Sequence, residues 1–231
     1  MKKIIFPIIL ITAFFSRTNA QTGTLNPATT VTNSQLSVQS VIDNYIAALG
    51  GKAKLEAVKS TITENTMTVQ DLEISMTTKK MGNKFISEQS VLDETVIQFF
   101  DGENGYIEQG GQRLDIPKDK IPELKKGKTI DALNFINENF TSINQVQLNG
   151  KNYNILNSDK GKFFFDATTG LLYKSETSDA TATIKSYMTV EGVKFPELIE
   201  AEGGGQMVIL KTTKVIINSG VTEADFNSSS K

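Results

Sequence analysis

Phe99-Phe100-Asp101-Gly102-Glu103-Asn104-Gly105-Tyr106-Ile107 and, 65 residues later, Phe164-Phe165-Asp166-Ala167-Thr168-Thr169-Gly170-Leu171-Leu172 read almost alike. Each is an apolar strand end, an Asp that can bond its own turn, three small or polar residues, a Gly and a second apolar strand. That is the chemistry of an antiparallel hairpin whose Gly takes a positive φ after a type I-like turn. Two such hairpins in one chain predict a β-meander.

The residues on either side agree. From Ser60 the apolar period is two, and Gln70-Asp71 reads as a two-residue connection pairing Val69 with Leu72, Met67 with Ile74 and Asn65 with Met76. Cross-strand partners share a face, so one side carries Met67, Val69, Leu72, Ile74 and Met76, and the other Thr66, Thr68, Glu73, Ser75 and Thr77. Strands follow over 84–91, 95–100, 105–109 and 112–116. Residues 117–140 break the pattern with Pro122, the run Lys125-Lys126-Gly127-Lys128, and Ile130, Leu133 and Ile136 near helical spacing, which predicts an insertion with a short helix. Strands resume at Ser142. Asn149-Gly150 predicts a type I′ turn with Val146 opposite Tyr153, and Glu191-Gly192 predicts Val190 opposite Val193 and Met188 opposite Phe195. Pro196 cannot donate to a ladder, so its strand is at an edge or bulged. Gly203-Gly204-Gly205 makes the last turn.

Ahead of the strands, Val38, Val41, Ile42, Tyr45, Ile46 and Leu49 form the stripe of an amphipathic helix, with Ser34 or Ser37 as its N-cap and Gly50-Gly51 at its end. One further helical turn or two is expected over 53–58. An antiparallel sheet of about ten or eleven strands curls or closes rather than staying flat. The expected fold is mainly β, of the α+β class. It is a curled meander or half-barrel, with the N-terminal helix and the short helical insertion over its concave face.

The first twenty residues have the anatomy of a signal peptide: Lys2 and Lys3, an apolar run from Ile4 to Phe15, then Thr18-Asn19-Ala20 as the cleavage site. Residues 21–35 read as a flexible lead, 36–226 as a single domain and 227–231 as a tail. Removing Lys2, Lys3 and Arg17 from 24 basic residues leaves 21 against 26 acidic ones, a poor balance for binding nucleic acid. No second apolar run is long enough to span a bilayer, so the expected mature form is an exported, periplasmic monomer and not an integral membrane protein. With no His and no Cys, Ser-His-Asp and Cys-His mechanisms and zinc sites built on imidazole or thiolate are closed.

The helix Val41-Ile42-Asp43-Asn44-Tyr45-Ile46-Ala47-Ala48-Leu49-Gly50-Gly51, the following Leu55-Glu56-Ala57-Val58-Lys59, both Phe-Asp turns, Tyr187, Val193-Lys194-Phe195-Pro196 and Asp225-Phe226 carry a resemblance. The chain resembles the outer-membrane lipoprotein-sorting-like periplasmic family of Bacteroidetes type, with the LolA/LppX half-barrel, over nearly all of its mature length. The resemblance implies a concave apolar cavity that shelters acyl chains. Moving a chain of about 16 carbons into water costs on the order of 12 kcal/mol, so a carrier must offer a comparable apolar wall. Met67, Ile74, Met76, Phe85, Ile97 and Phe99 are the expected wall, methionine being suited to irregular partners. The lipoprotein carriers hold a closed lid with an arginine on an early strand. Arg113, the only arginine past the targeting segment, does not match that position and reads as a surface ion-pairing residue.

Two rival readings stand beside the carrier. Asp101, Glu103 and Glu108 cluster at one hairpin, where carboxylates can do acid–base work. Asp101, however, has a turn to build, and Gly105 sits where a calcium loop needs a ligand. The expectation is no catalytic residue, no metal and no cofactor. The other rival is a module that binds an envelope protein by strand addition, without a small ligand.

Overall fold

A computed structural model describes residues 36–92 and 94–227. The expected signal peptide, the lead over 21–35 and tail residues 228–231 lie outside them. Helices α1 (Val38–Ala48) and α2 (Lys52–Ala57) lead into six hairpin-linked strands, β1 (Ser60–Val69), β2 (Leu72–Met81), β3 (Lys84–Val91), β4 (Glu94–Phe100), β5 (Gly105–Gln109) and β6 (Gln112–Asp115). A connection holding α3 (Ile121–Leu124) and a 3-10 turn (Asp131–Asn137) leads to seven more: β7 (Ser142–Leu148), β8 (Lys151–Ser158), β9 (Gly161–Asp166), β10 (Leu172–Glu176), β11 (Ala180–Val190), β12 (Val193–Gly203) and β13 (Gln206–Ile217). A second 3-10 turn, Glu223–Phe226, follows.

All thirteen strands form one antiparallel sheet in the order β6-β5-β4-β3-β2-β1-β13-β12-β11-β10-β9-β8-β7. The count exceeds the ten or eleven expected, although the short β6 falls on the strand expected over 112–116. The order shows two meanders joined where the first strand pairs with the last. The edges are then β6 and β7, and residues 116–141 run from one edge to the other as a strap.

The strap and the helices cover one face. Val41, Ile42, Tyr45, Ile46 and Leu49 of the α1 stripe pack with Leu55 and Val58, with Ile130, Ala132 and Phe135 of the strap, and with the sheet residues Leu156, Phe163, Phe165, Val193, Val215 and Ile217. Phe135 meets Tyr45, Phe163 and Phe165 edge-on at centroid distances of 5.6, 5.1 and 5.9 Å, a geometry that aromatic quadrupoles favour. The face so covered is the concave one of a curled half-barrel.

The local readings hold in register. Met67 faces Ile74, Val146 faces Tyr153, and Val190 faces Val193. Ser37 caps α1: its Oγ accepts from the Ser40 N–H at 3.1 Å, and Ser40 Oγ accepts from the Ser37 N–H at 3.0 Å. Pro196 lies on an interior strand, at β-bulges opposite Ile184–Tyr187, and the β12–β13 register begins only at Leu198. The bulge explains it, not an edge.

Both Phe-Asp turns are built by their Asp. Asp101 Oδ1 accepts from the N–H groups of Glu103 and Asn104 at 2.8 and 2.7 Å, and Asp166 Oδ1 from those of Thr168 and Thr169 at 2.9 and 2.8 Å. Burial pushes the Asp166 carboxyl up, but the donors at Thr169 and Thr168 outweigh it and hold the group below its ordinary value. The glycines correct the expectation. Gly170 has φ +74, whereas Gly105 has no positive φ and opens β5. A Cβ on Gly105 would stand 2.5 Å from the Phe99 carbonyl oxygen, so close approach, not a left-handed turn, requires glycine there.

The end of α1 docks backbone to backbone on the β11–β12 turn. The Lys194 N–H donates to the Leu49 carbonyl at 2.8 Å. Gly50 takes φ +129, and a Cβ there would lie 2.4 Å from the Gly192 carbonyl oxygen. Gly50→Ala is therefore expected to destabilise the protein by about 2 kcal/mol or more, from strain plus a backbone clash. Urea unfolding measures this, and an unchanged midpoint would show that the helix does not need this contact.

Candidate functional site

The register sorts the six expected wall residues. Met67 pairs with Ile74, Met76 follows Ile74 two residues along β2, and Phe85 faces Lys80, which shares the same side of β2. These four are on the concave face and are 1, 7, 7 and 7% exposed. Met67 and Ile74 pack with Val69, Leu72, Val208 and Leu210. Among the described residues this cluster is built of strand side chains alone, at the end of the sheet where the β1–β2 and β12–β13 turns lie. Phe85 is set apart from it, paired with the Phe100 ring at 6.0 Å.

The structure does not bring Ile97 and Phe99 to that wall. Phe85 is opposite Phe100, and Phe99 is opposite Ile86, so Phe99 and Ile97 face the convex side. There Phe99 stacks on Tyr106 at 4.9 Å and packs with Ile86 under Phe226. The turn Glu223–Phe226 is pinned by the Thr222 N–H donating to Asp225 Oδ2 at 2.8 Å and by the Lys79–Asp225 ion pair. Consecutive Phe99 and Phe100 must point to opposite faces of a strand. A Phe-Phe pair shows no alternation, so the sequence does not tell which ring is inside. Val208 and Leu210 were not among the expected wall. Their alternation in Met207-Val208-Ile209-Leu210 is visible, but only the β1–β13 pairing brings them beside Met67.

A polar belt divides the wall from the helix-covered core. The Thr212 hydroxyl lies within hydrogen-bond reach of Asn65 Oδ1 at 2.9 Å and of the Pro196 carbonyl at 3.0 Å. Thr78 Oγ1 donates to Ser87 Oγ at 2.9 Å, and Ser87 is 1% exposed. Buried polar groups satisfied in this way fix the sheet locally.

The strap is held over the concave face by apolar contacts through Phe135 and by polar ones along its length. Lys160, in the β8–β9 turn, lies 2.8 Å from both Glu123 and Glu138, Lys80 pairs with Asp131, and Lys125 with Glu103. Thr129 Oγ1 accepts from the Gly82 N–H at 2.8 Å and donates to the Lys59 carbonyl at 3.1 Å. The three carboxylates weighed as a site are thus engaged: Asp101 by its turn, Glu103 by Lys125, and Glu108 by Arg113 at 3.0 Å. Arg113 also lies 3.7 Å over the Tyr106 ring, so it acts as the surface ion-pairing residue expected of it. Among the described residues no group of three or more acidic, His or Cys side chains is placed to hold a metal ion, and no helix is long and apolar enough to cross a membrane.

No protein-family model and no curated protein matches the chain. Solved structures share its fold. A DUF1329 family protein from Desulfovibrio piger superposes with a TM-score of 0.56 at 10% identity, over 83% of this chain and 98% of that one. A putative outer membrane lipoprotein-sorting protein domain from Vibrio parahaemolyticus gives 0.58 at 14%, over 83 and 97%. A LolA superfamily protein from Nitrosomonas europaea gives 0.52 at 11%, over 83 and 98%. The fold is the LolA-like half-barrel.

The Lys160 cluster gives the strap a pH window. Burial lowers the Lys160 pKa, but its bonds to Glu123 and Glu138 outweigh that and raise it above the ordinary 10.5. Burial likewise raises Glu123, and Lys160 and Lys126 bring it below the ordinary 4.5. The lysine's contribution is complete below its unfolded pKa and is lost as pH climbs through the higher folded value. The glutamate's is complete above its unfolded pKa and is lost as pH falls through the lower folded value. Strap anchorage should therefore be strongest between about pH 5 and pH 10. Lys160→Met, which leaves the 8%-exposed Glu138 without this partner, should cost roughly 2–3 kcal/mol. Amide exchange over 117–141 measures both effects, and protection that is flat with pH and unaltered in the variant would refute the assignment.

Proposed function

We propose that the protein is a non-enzymatic periplasmic carrier or binder of a hydrophobic ligand, a lipid or lipoprotein acyl chain, delivered there by cleavage after Ala20. The ligand lies against the concave wall of Met67, Ile74 and Met76, flanked by Val208 and Leu210, with Phe85 further along the same face. The observation that carries this reading is the apolar cluster on the concave face, made of strand side chains alone and separated from the helix-covered core by the Asn65–Thr212 and Thr78–Ser87 pairs. The belt sets this cluster apart from the strap and α1, so only strand side chains bury Met67 and Ile74 before a chain enters. Two methionines supply a surface that fits chains of irregular conformation. The fold shared with a putative outer membrane lipoprotein-sorting protein domain supports the same reading.

Native mass spectrometry of the purified protein is expected to show a bound lipid that solvent extraction removes and added fatty acid replaces. Leu210→Asn, a half-buried change on the concave face, should lower occupancy at least about tenfold, the effect of roughly 1.4 kcal/mol. Ile209→Asn, its convex-side neighbour at 38% exposure, should leave occupancy unchanged. Protein that stays empty when offered acyl chains, yet captures an envelope protein through the β6 or β7 edge, would support the interaction module instead.

A further inference from the structure

A cleft of about 600 Å3 lies where α2, the β2–β3 turn and the strap meet. The volume falls in the range of small-molecule sites, about 300–1,000 Å3. Its floor is apolar: Leu55, Val58, Leu133 and Ile136. Leu55 and Val58 belong to the buried core, with Leu133 and Ile136 packed against it. Lys52, Lys59 and Lys128 also line it, against one carboxylate, Glu56. Glu56 does little to neutralise them. Lys52 Nζ stands 3.8 Å from its carboxylate, and Lys59 Nζ donates at 2.7 Å to its backbone carbonyl rather than to its side chain. Among the described residues Lys128 has no carboxylate partner. The cleft therefore joins an apolar floor to a local excess of positive charge, in a domain whose overall balance is acidic.

We propose that this cleft binds the head and first methylenes of a single-chain amphiphile whose head is an anion, a lipid phosphate or carboxylate. The proposal rests on the carrier reading and adds a second contact for a ligand of that class, at the β2–β3 end of the sheet, away from the Met67–Ile74 cluster. The floor selects against a free anion, which would meet no buried cation there and would gain nothing from the four apolar side chains. The absence of any aromatic ring from the lining selects against a nucleotide, which would look for a stacking surface. The three lysines select against a neutral or cationic head, because their mutual repulsion is relieved only by an anion.

Isothermal titration with dodecyl phosphate, dodecyl maltoside and inorganic phosphate, each below any micelle concentration and at low salt, tests this on the wild type and on the Lys52→Gln/Lys128→Gln double variant. Dodecyl phosphate should bind roughly tenfold tighter than the maltoside, as two exposed charge contacts of somewhat under 1 kcal/mol each would give. The double variant should remove that difference while keeping maltoside affinity, and 0.5 M salt should shrink it in the wild type. Inorganic phosphate should not saturate the protein at millimolar concentration. An anionic preference that survives in the double variant, or equal affinity of the wild type for the two amphiphiles, overturns the proposal and leaves the carrier reading standing. Inorganic phosphate bound as tightly as dodecyl phosphate overturns the lipid as the source of the anion. Failure of both amphiphiles to bind overturns the carrier reading along with it.

Discussion

The antiparallel pairing of β1 with β13 is the contact on which the rest of the architecture depends. It sets Thr61 opposite Ile217 and Val69 opposite Val208, joining segments more than a hundred residues apart. Without it the chain is two separate meanders, each with two open edges. With it the sheet is continuous, and among the described residues its edges are β6 and β7. The chain must then travel from one margin to the other, which puts residues 116–141 across the concave face. Its Phe135 reaches Tyr45 and Phe163 only because that crossing is forced. The register shift at Glu64 and Asn65 in the same pairing adds the local twist that bulges bring, at the centre of the sheet where curling is needed.

That crossing also divides the concave face into two regions of different character. Toward α1 the wall is covered by rings and branched chains from three directions, a close-packed interior of the ordinary kind. Toward the β1–β2 and β12–β13 turns the cluster is made of strand side chains alone. Between them lie buried Asn65, Ser87 and Thr212 and half-buried Thr78, bonded to one another or to the Pro196 carbonyl. Polar groups bonded within the sheet cannot offer helices an apolar surface to dock on. The belt therefore marks the limit of the helix-covered core.

Local chemistry was readable from the sequence wherever one residue type permits one geometry. The turns Gln70-Asp71, Asn149-Gly150 and Glu191-Gly192 have positive φ at both central residues, and each set the register of its strands. The α1 stripe was readable for the same reason, with apolar residues on one side and polar on the other. Legibility failed where the alternation that reports a face is missing. Phe99-Phe100 and Phe163-Phe164-Phe165 are apolar on both sides, so nothing in the sequence tells that Ile97 and Phe99 face the convex side. It failed again for the β1–β13 pairing, which leaves no local mark, and so Val208 and Leu210 could not be joined to Met67. Gly105 and Gly170 occupy like positions in like sequences yet serve different constraints, a close carbonyl in one case and a left-handed φ in the other.

The polar side chains of this protein are largely occupied with holding its shape. Asp101 and Asp166 satisfy turn N–H groups, Asp225 satisfies Thr222 and Lys79, Glu108 meets Arg113, and Lys160 ties Glu123 to Glu138. A carboxylate whose lone pairs are fixed on backbone donors is poorly placed to accept a substrate proton, because each bond it makes lowers its basicity and ties down its orientation. The acidic residues at the Phe-Asp turns are committed in this way, Asp101 and Asp166 to turn N–H groups and Glu103 to Lys125. A binder of apolar chains needs the converse, apolar area that the fold does not consume and charge at its margin that no partner neutralises. The strand-only cluster of Met67 and Ile74 lies at one end of the sheet and the lysine-lined cleft at the other, where the strap that runs from β6 to β7 meets α2 and the β2–β3 turn.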